Sequence, residues 1–501
     1  MNDAEVPPSE GSTAGMNQSV TQIGADSGVV AINSRRELFI DDFIIERLGG
    51  DARLRLHHPD PQEIAIVHDR PWEGSSCGYH TVFRDGDIFR MYYRGLHVGK
   101  RKEFTPEMHE PFYCYAESED GIEWRRPELG IVEFEGSKEN NIILKGVGTH
   151  NFSPFKDTNR ECAPEARYKA LGGTKKEGGL HAFRSQDGIH WSLMADEPVI
   201  TDGAFDSQNV AFWDPNSGRY RAYWRYFTED RHRAIRTGTS IDFLDWGGNT
   251  DLAYLDSPLE HLYTNQVKPY YRAPHILVGF PTRYVDRGWS DSMRALPELD
   301  DRELRASANQ RYGTAVTEGL LMASRDGVNF KRWNEAFLRP GIQRPGTWMY
   351  GHQYIARHLV ETESPISGAP KEISLYSTEG HPTGVSVALR RYTLRMDGFV
   401  SVWAPSSGGD LLTRPLTFAG SELGINFSTS AVGRIRVELQ DPEGNAIPGY
   451  SLGDCPDIFG DEVERCVNWE SGKGPGELSG EPVRILFALN DADLYSFRFS
   501  R

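Results

Sequence analysis

Three carboxylates, Asp206, Glu318 and Glu379, sit at positions from which a pair for cleaving a sugar linkage could be assembled. Glycosidic cleavage ordinarily uses one protonated carboxyl group to donate to the leaving oxygen and one ionised group to act as nucleophile or to activate water. Clustering acids on an apolar rim raises the pKa of at least one of them. The expected roles are Asp206 as the ionised partner, Glu318 as the acid, and Glu379 as acid or modulator of the others. The competing reading is that each caps a strand or pairs with an arginine. Arg94, Arg225 and Arg283 stand beside aromatics in Tyr93-Arg94, Trp224-Arg225-Tyr226 and Arg283-Tyr284. Guanidiniums converging on one point would grip a carboxylate or sulfate in forked geometry, or neutralise the acids just named. His80, His150, His352, Asn209 and Gln266 are candidate hydrogen-bond partners of sugar hydroxyls. A metal held by the three histidines is the lesser alternative, and no metal or cofactor is expected.

The elements that must position these groups follow from a repeat. Ser118-Glu119-Asp120-Gly121-Ile122-Glu123-Trp124, Ser185-Gln186-Asp187-Gly188-Ile189-His190-Trp191 and Ser324-Arg325-Asp326-Gly327-Val328-Asn329-Phe330 share Ser-x-Asp-Gly-x-x-aromatic. Ser240-Ile241-Asp242-Phe243-Leu244-Asp245-Trp246 is a looser copy, and Met396-Asp397-Gly398-Phe399 keeps only the turn. Asp-Gly between alternating segments signals a tight turn between antiparallel strands. Two further strands precede each copy. The first is apolar: Tyr79 to Phe83, Phe152 to Phe155, Asn209 to Trp213, Gln266 to Tyr271, His352 to Ala356. The second is rich in aromatics: Phe89 to Tyr93, Tyr168 to Leu171, Tyr220 to Trp224, His275 to Phe280, Ile373 to Tyr376. Four strands repeated five times predict an all-β, five-bladed propeller.

In a propeller the starts of the innermost strands and the loops between second and third strands share one face. Among the inner starts (Tyr79, His80, His150, Asn151, Asp206, Gln208, Asn209, Asn265, Gln266, His352) only Asp206 is acidic. Arg94, Glu229, Asp230, Arg283, Glu318 and Glu379 occupy the loops above the same face. Asp85, Asp87, Asp157 and Asp214 lie in turns at the other end, and Asp120, Asp187 and Asp326 build the repeated turns, so these are read as structural.

The 501-residue length suits one large domain and a smaller one. The expected division is a flexible tail over 1–33, the propeller over 34–403 and a β-sandwich over 404–501, where short strands alternate with Gly and Pro turns. Arg36 to Ile45 reads as a strand that closes the ring or docks the two domains. A net charge of -17 would repel a phosphate backbone and an anionic bilayer. Nucleic acid and membrane are therefore not expected partners; an oligosaccharide or glycoside is. Five scattered cysteines without CxxC spacing indicate neither a disulfide framework nor a zinc site. The opening residues lack the features of a signal peptide, which points to the cytoplasm, or to a secreted or periplasmic protein if a leader was removed.

The five-blade pattern with a terminal sandwich resembles the glycoside hydrolases of family 32, the fructosidases. For the propeller alone it also resembles family 43, the arabinofuranosidases and xylosidases. The segments LFIDDFIIE, HNFSPFKDTN, EARYKAL, FDSQNVAFWD, HLYTNQVKPYYRAPHILVGFPTRY and SRDGVNF are similar to bacterial proteins grouped with family 32, and the likeness runs over nearly the whole chain after about Ser34. It implies the fold and a glycosidase, not fructosidase specificity. The family's first-blade motif Trp-Met-Asn-Asp-Pro has no counterpart: Tyr79-His80-Thr81 carries no acid, and Glu73 or Asp42 would have to supply it. Glu161-Cys162 matches the family's acid motif in letters but falls in a turn on the wrong face. The leading expectation is an exo-acting hydrolase of a terminal furanoside or anionic sugar, with Gly99 to Pro111 and Val285 to Gln310 walling off one end of the pocket. Two alternatives stand beside it, a sialidase-like hydrolase of an acidic sugar and a non-catalytic carbohydrate-binding propeller.

Overall fold

The computed structural model describes residues 28–98, 109–380 and 387–501. Residues 1–27 of the expected tail and 99–108 of the first insertion lie outside them. Blade 1 is Gly78–Asp85, Ile88–His97, His109–Ser118 and Ile142–Lys145. Blade 2 is Ser153–Lys156, Tyr168–Gly172, His181–Ser185 and Ser192–Leu193, and blade 3 is Val210–Asp214, Arg219–Phe227, Arg233–Ser240 and Trp246–Asp251. Blade 4 runs Lys268–Tyr270, Ala273–Gly279, Met322–Ser324 and Asn329–Arg332, with Ala253–Leu255 added parallel at its outer edge. Blade 5 is Val360–Thr362, Glu372–Glu379 and Val387–Leu394, and its outermost strand is Asp60–His68 from ahead of blade 1. This last strand closes the ring by joining the two ends of the propeller sequence in one sheet. In blade 5 the expected inner strand His352 to Ala356 makes only an isolated bridge, Ile355 to Ser377.

The core lies between blades rather than within them. Alternation along the second strands sends successive side chains to opposite faces, so each sheet is apolar on both sides. Val82, Met91, Tyr93 and Cys114 of blade 1 pack with Tyr376 and Leu389 of blade 5, while Ala182 of blade 2 shares a cluster with Trp224 of blade 3. Trp224 is fully buried there.

The repeated turns share one hydrogen-bond pattern. In the first, Ser118 Oγ accepts from Gly121 N at 2.8 Å, and Asp120 Oδ1 accepts from the N–H groups of Ile122 and Glu123 at 2.8 and 2.9 Å. In the three full copies the glycine after the aspartate takes a left-handed conformation, with φ 77° at Gly121, 80° at Gly188 and 81° at Gly327, whereas in the last copy Asp397 itself holds 60°. Phe243 in the looser copy holds 73°, its ring buried against Phe155 of blade 2. Each turn docks on the preceding blade: Tyr223 Oη donates to Gly327 O at 2.8 Å and Arg90 Nη1 to Asp187 O at 2.8 Å.

The remaining strands form a C-terminal β-sandwich. Two long strands, Glu422–Gln440 and Arg484–Ser500, pair antiparallel with a register break between Thr429 and Arg434, where they bend from one layer to the other. Segments ahead of Asp60 belong to this unit: Glu37–Leu38 and Arg53–Leu56 pair with Arg484–Ser500 and Val400–Ala404, and Ile45–Gly50 pairs with Gly409–Thr413. Its core includes Ile32, Phe39 and Ile44 beside Phe427, Val437 and Phe487. Within the described residues, no helix is long and apolar enough to cross a membrane.

Candidate active site

The inner ends of the blades are plugged by a polar network. Gln208 Nε2 donates to Tyr79 O and Thr81 Oγ1, both at 3.0 Å, and Gln266 Nε2 donates to Gln208 Oε1 at 2.7 Å and Ile355 O at 2.9 Å. Arg357, fully buried, reaches the carbonyls of Ser153, Pro154 and Ala211 in two other blades. Buried guanidinium and amide groups are satisfied here by backbone carbonyls, and the axis is filled rather than open.

Above this plug lies a cavity of about 850 Å³ whose floor carries Asp206. Asp206 sits on the loop entering the inner strand of blade 3, and buried amides clamp that loop. Asn151 Nδ2 donates to Gly173 O and Ser207 O, both at 2.9 Å, and its Oδ1 accepts from Gly173 N at 2.7 Å. Asn209 Nδ2 donates to Phe205 O at 3.0 Å and Ser207 O at 2.9 Å, and its Oδ1 accepts from Arg225 N. Arg225 Nε donates to Ala204 O at 2.9 Å. The loop carrying the aspartate is thus fixed from blades 2 and 3 while its carboxylate lines the cavity.

His150 Nε2 lies 2.9 Å from Asp206 Oδ1, and Arg225 approaches Oδ2 at 3.8 Å. Enclosure raises the Asp206 pKa, but the His150 hydrogen bond and the charges of Arg225, His150 and Arg94 outweigh it and hold the carboxyl below its ordinary value. The residue is therefore ionised at neutral pH. Arg94 stands behind His150, donating to His150 O at 3.3 Å and Ser76 O at 3.1 Å, its guanidinium 4.7 Å from the Tyr79 ring centroid. The walls are aromatic: Tyr263 and Tyr350 line the cavity, joined hydroxyl to hydroxyl at 3.0 Å, and pack with Tyr79, Tyr284 and Tyr354. Such rings suit the apolar faces of a sugar. Arg233 and Arg311 complete the rim, and Glu110 stands at the mouth. Arg311 comes from the helical insertion that joins the two strands of the hairpin Thr282–Asp286 and Ala315–Gly319 of blade 4.

The other expected residues lie elsewhere. Glu318 pairs across the hairpin with Arg283, whose Nε donates to it at 2.8 Å, and it lines a separate cavity of about 430 Å³ with Trp348 and Met293. Alternation explains this. Tyr284, next to Arg283, packs against the Tyr350 ring of the Asp206 cavity, so Arg283 and Glu318 face the other side of the ribbon. Glu379 is buried and bound by Arg344 and Arg390, whose hydrogen bonds and charge hold it ionised against the cost of burial. It does not line the Asp206 cavity, so the expected acid pair is not brought together.

His80 is buried against His68, the two Nε2 atoms 2.9 Å apart, and stacks on Tyr93. His352 Nδ1 accepts from Trp348 N at 3.0 Å, and burial pushes its pKa down to about 3. The three histidines do not converge, and no group of three metal-ligating side chains is gathered among the described residues. Asn209 and Gln266 position backbone instead of lining the cavity. Glu73 is fully buried beneath blade 1. Tyr93 Oη at 2.6 Å and Arg126 Nε at 2.7 Å bind it, and interactions with His68 and Arg126 overcome burial to bring its pKa to about 2. Asp42 belongs to an exposed bend on the sandwich side and Glu161 to an exposed turn. None of these supplies a first-blade acid to the cavity.

No family profile matches the chain, and no curated protein matches it in sequence. Solved structures similar to it include an N-acetylgalactosamine deacetylase from F. plautii, at 11% identity and TM-score 0.42, over 68% of this chain and 95% of that one. A fructofuranosidase from Schwanniomyces occidentalis matches at 12% identity and TM-score 0.38, over 87% of this chain and 98% of that one. A thermostable family-43 glycoside hydrolase matches at 12% identity and TM-score 0.38, over 66% and 95%. At such identities the chemistry has to come from the chain's own groups. Its blades define it as a five-bladed β-propeller with a C-terminal β-sandwich.

Proposed function

We propose that the protein is a glycoside hydrolase that removes a terminal sugar at the Asp206 cavity. The observation that carries this reading is an ionised carboxylate rigidly held on the floor of a tyrosine-walled cavity at the mouth of the propeller axis. Asp206 is the ionised partner, acting as nucleophile or activating water. Its hydrogen bond to His150 and the clamps from Asn151 and Asn209 fix the carboxylate before substrate arrives. Of the other carboxylates lining the cavity, Glu177 is engaged by Gly148 N and Thr174 Oγ1, which leaves Glu110 as the candidate for the second carboxyl. The filled axis beneath the cavity, which leaves Asp206 open to solvent from one side only, favours exo action on a chain end.

The test is release of sugar from a panel of aryl glycosides and oligosaccharides, for the wild type and for Asp206→Asn. The expected result is product from the wild type and a loss on the order of 10³-fold in kcat, about 4 kcal/mol of barrier, in the variant. Sugar binding without product from the wild type would leave a carbohydrate-binding propeller instead.

A further inference from the structure

The chain carries a net charge of -17, yet the Asp206 cavity is lined by five Lys and Arg side chains against three carboxylates. Two of the three carboxylates are already engaged. Glu177 accepts from Gly148 N at 2.8 Å and Thr174 Oγ1 at 2.7 Å, and Asp206 is bound by His150. The guanidiniums are less well matched. Arg225 reaches only one carboxylate oxygen, at 3.8 Å. For Arg233 and Arg311 the described residues contain no carboxylate within ion-pair distance, and Arg233 Nε is buried without a hydrogen-bond partner.

All three lie over aromatic rings. Arg225 lies 5.0 Å from the Tyr263 ring centroid, Arg233 4.5 Å from Tyr284 and Arg311 4.6 Å from Tyr312. Arg225 Nε is taken by Ala204 O at 2.9 Å and Arg311 Nη2 lies 3.4 Å from Tyr312 Oη, which leaves the remaining N–H groups of the three for an incoming acceptor. Guanidiniums lining one cavity with a single carboxylate, Asp206, at 3.8 Å from one of them repel one another, a cost an anion reduces by accepting forked hydrogen bonds.

We propose that Arg225, Arg233 and Arg311 form a recognition site for an anionic substituent, a carboxylate or a sulfate ester, on the sugar that enters the cavity. This assignment rests on the cavity being a sugar site and adds what it selects. It replaces the set expected from sequence: Arg94 serves the His150 backbone and Arg283 is engaged by Glu318 and Glu260, while Arg233 and Arg311 take their places. Lys175 and Lys176 at the rim add long-range attraction for the same charge.

The test is calorimetric titration of the full chain with matched methyl hexosides, methyl hexuronides and methyl hexoside 6-sulfates, in the gluco and galacto series, at two salt concentrations. Arg233→Gln and Arg311→Gln are measured beside the wild type, with aryl-glycoside hydrolysis followed in parallel. The expected result is that at least one acidic sugar binds about tenfold or more tightly than its neutral counterpart, that each variant erases most of that preference, and that added salt weakens it. The uronide and sulfate arms identify which anion is chosen. Equal binding of neutral and acidic sugars, no binding of any acidic sugar, or unchanged preference in both variants overturns the proposal. Hydrolysis of neutral glycosides without acid preference removes it and leaves the hydrolase standing. Acid-selective binding without hydrolysis does the reverse.

Discussion

Asp206 keeps its charge to lower pH than an ordinary aspartate because His150, Arg225 and Arg94 favour the ionised form more than enclosure disfavours it. A group needed as a base is active above its own pKa and lost as pH falls through it. The acidic limb of kcat/KM is therefore expected below the usual ~3.9 of an aspartate, and a pH profile on the best substrate of the panel checks it. A limb at pH 5 to 6 would point instead to a group with a raised pKa. Asp206 was legible in the sequence because only one acid stands at the start of an inner strand. Glu318 was misleading for a definite reason: neighbouring residues on a ribbon point to opposite sides, and the sequence alone did not say whether Arg283 or Tyr284 faced the axis. Arg233 was within reach, since it opens the third strand of blade 3 directly opposite Phe227. Arg311 was not, because it sits in an insertion with no periodic landmark.

The Asp-Gly turns hold blades together and take no part in the chemistry. At Gly188 the backbone is left-handed, and a Cβ there would lie 2.7 Å from Tyr92 Oη and 2.9 Å from Arg90 Nη1. Gly188→Ala combines the conformational cost of that φ, about 1 kcal/mol, with displacement of two side chains of blade 1. A fall in denaturation midpoint worth about 2 kcal/mol is expected, with KM little changed because the turn lies far from the cavity residues. An unaltered midpoint would mean that the turn does not hold the blades. These repeats made the blades readable, since their pattern is local in sequence. The ring closure was not: Asp60–His68 pairs with a strand more than three hundred residues later, and its alternation of apolar and polar residues gives no clue to which edge it will join.

Propeller and sandwich meet through buried charge. Asp397, in the last of the five turns, is fully buried and accepts from Tyr270 Oη at 2.7 Å, Arg272 Nε at 2.8 Å and Ser496 Oγ at 3.0 Å, with Arg36 at 3.4 Å. Glu37, on the strand Glu37–Leu38, is bound by Arg325 at 2.8 Å and lies 3.2 Å from His275. Burial raises its pKa, but His275, Arg325 and Arg35 bring it down from 4.5 to about 2. A depressed carboxylate contributes stability that is full above its unfolded pKa and is lost as pH falls through the folded one. Between pH 4.5 and 2 this group alone should cost about 3 kcal/mol. Urea midpoints of wild type and Glu37→Gln should thus differ strongly at pH 6 and converge near pH 2, whereas a constant gap would show that the charge is not what docks the domains. Arg36 to Ile45, expected to close the ring or to dock the domains, places Glu37 at this contact and joins the sandwich, and the ring is closed by the later segment Asp60–His68. The described lining of the Asp206 cavity comes from the propeller alone, and the most direct measurement is a crystal structure of the Asp206→Asn protein with a glycoside that the wild type cleaves. The expected result is the scissile linkage within about 4 Å of the residue 206 side chain, as in-line reaction requires, with the sugar ring against Tyr263 and Tyr350. A sugar seated instead beside Glu318 and Trp348, with the Asp206 cavity empty, would contradict it.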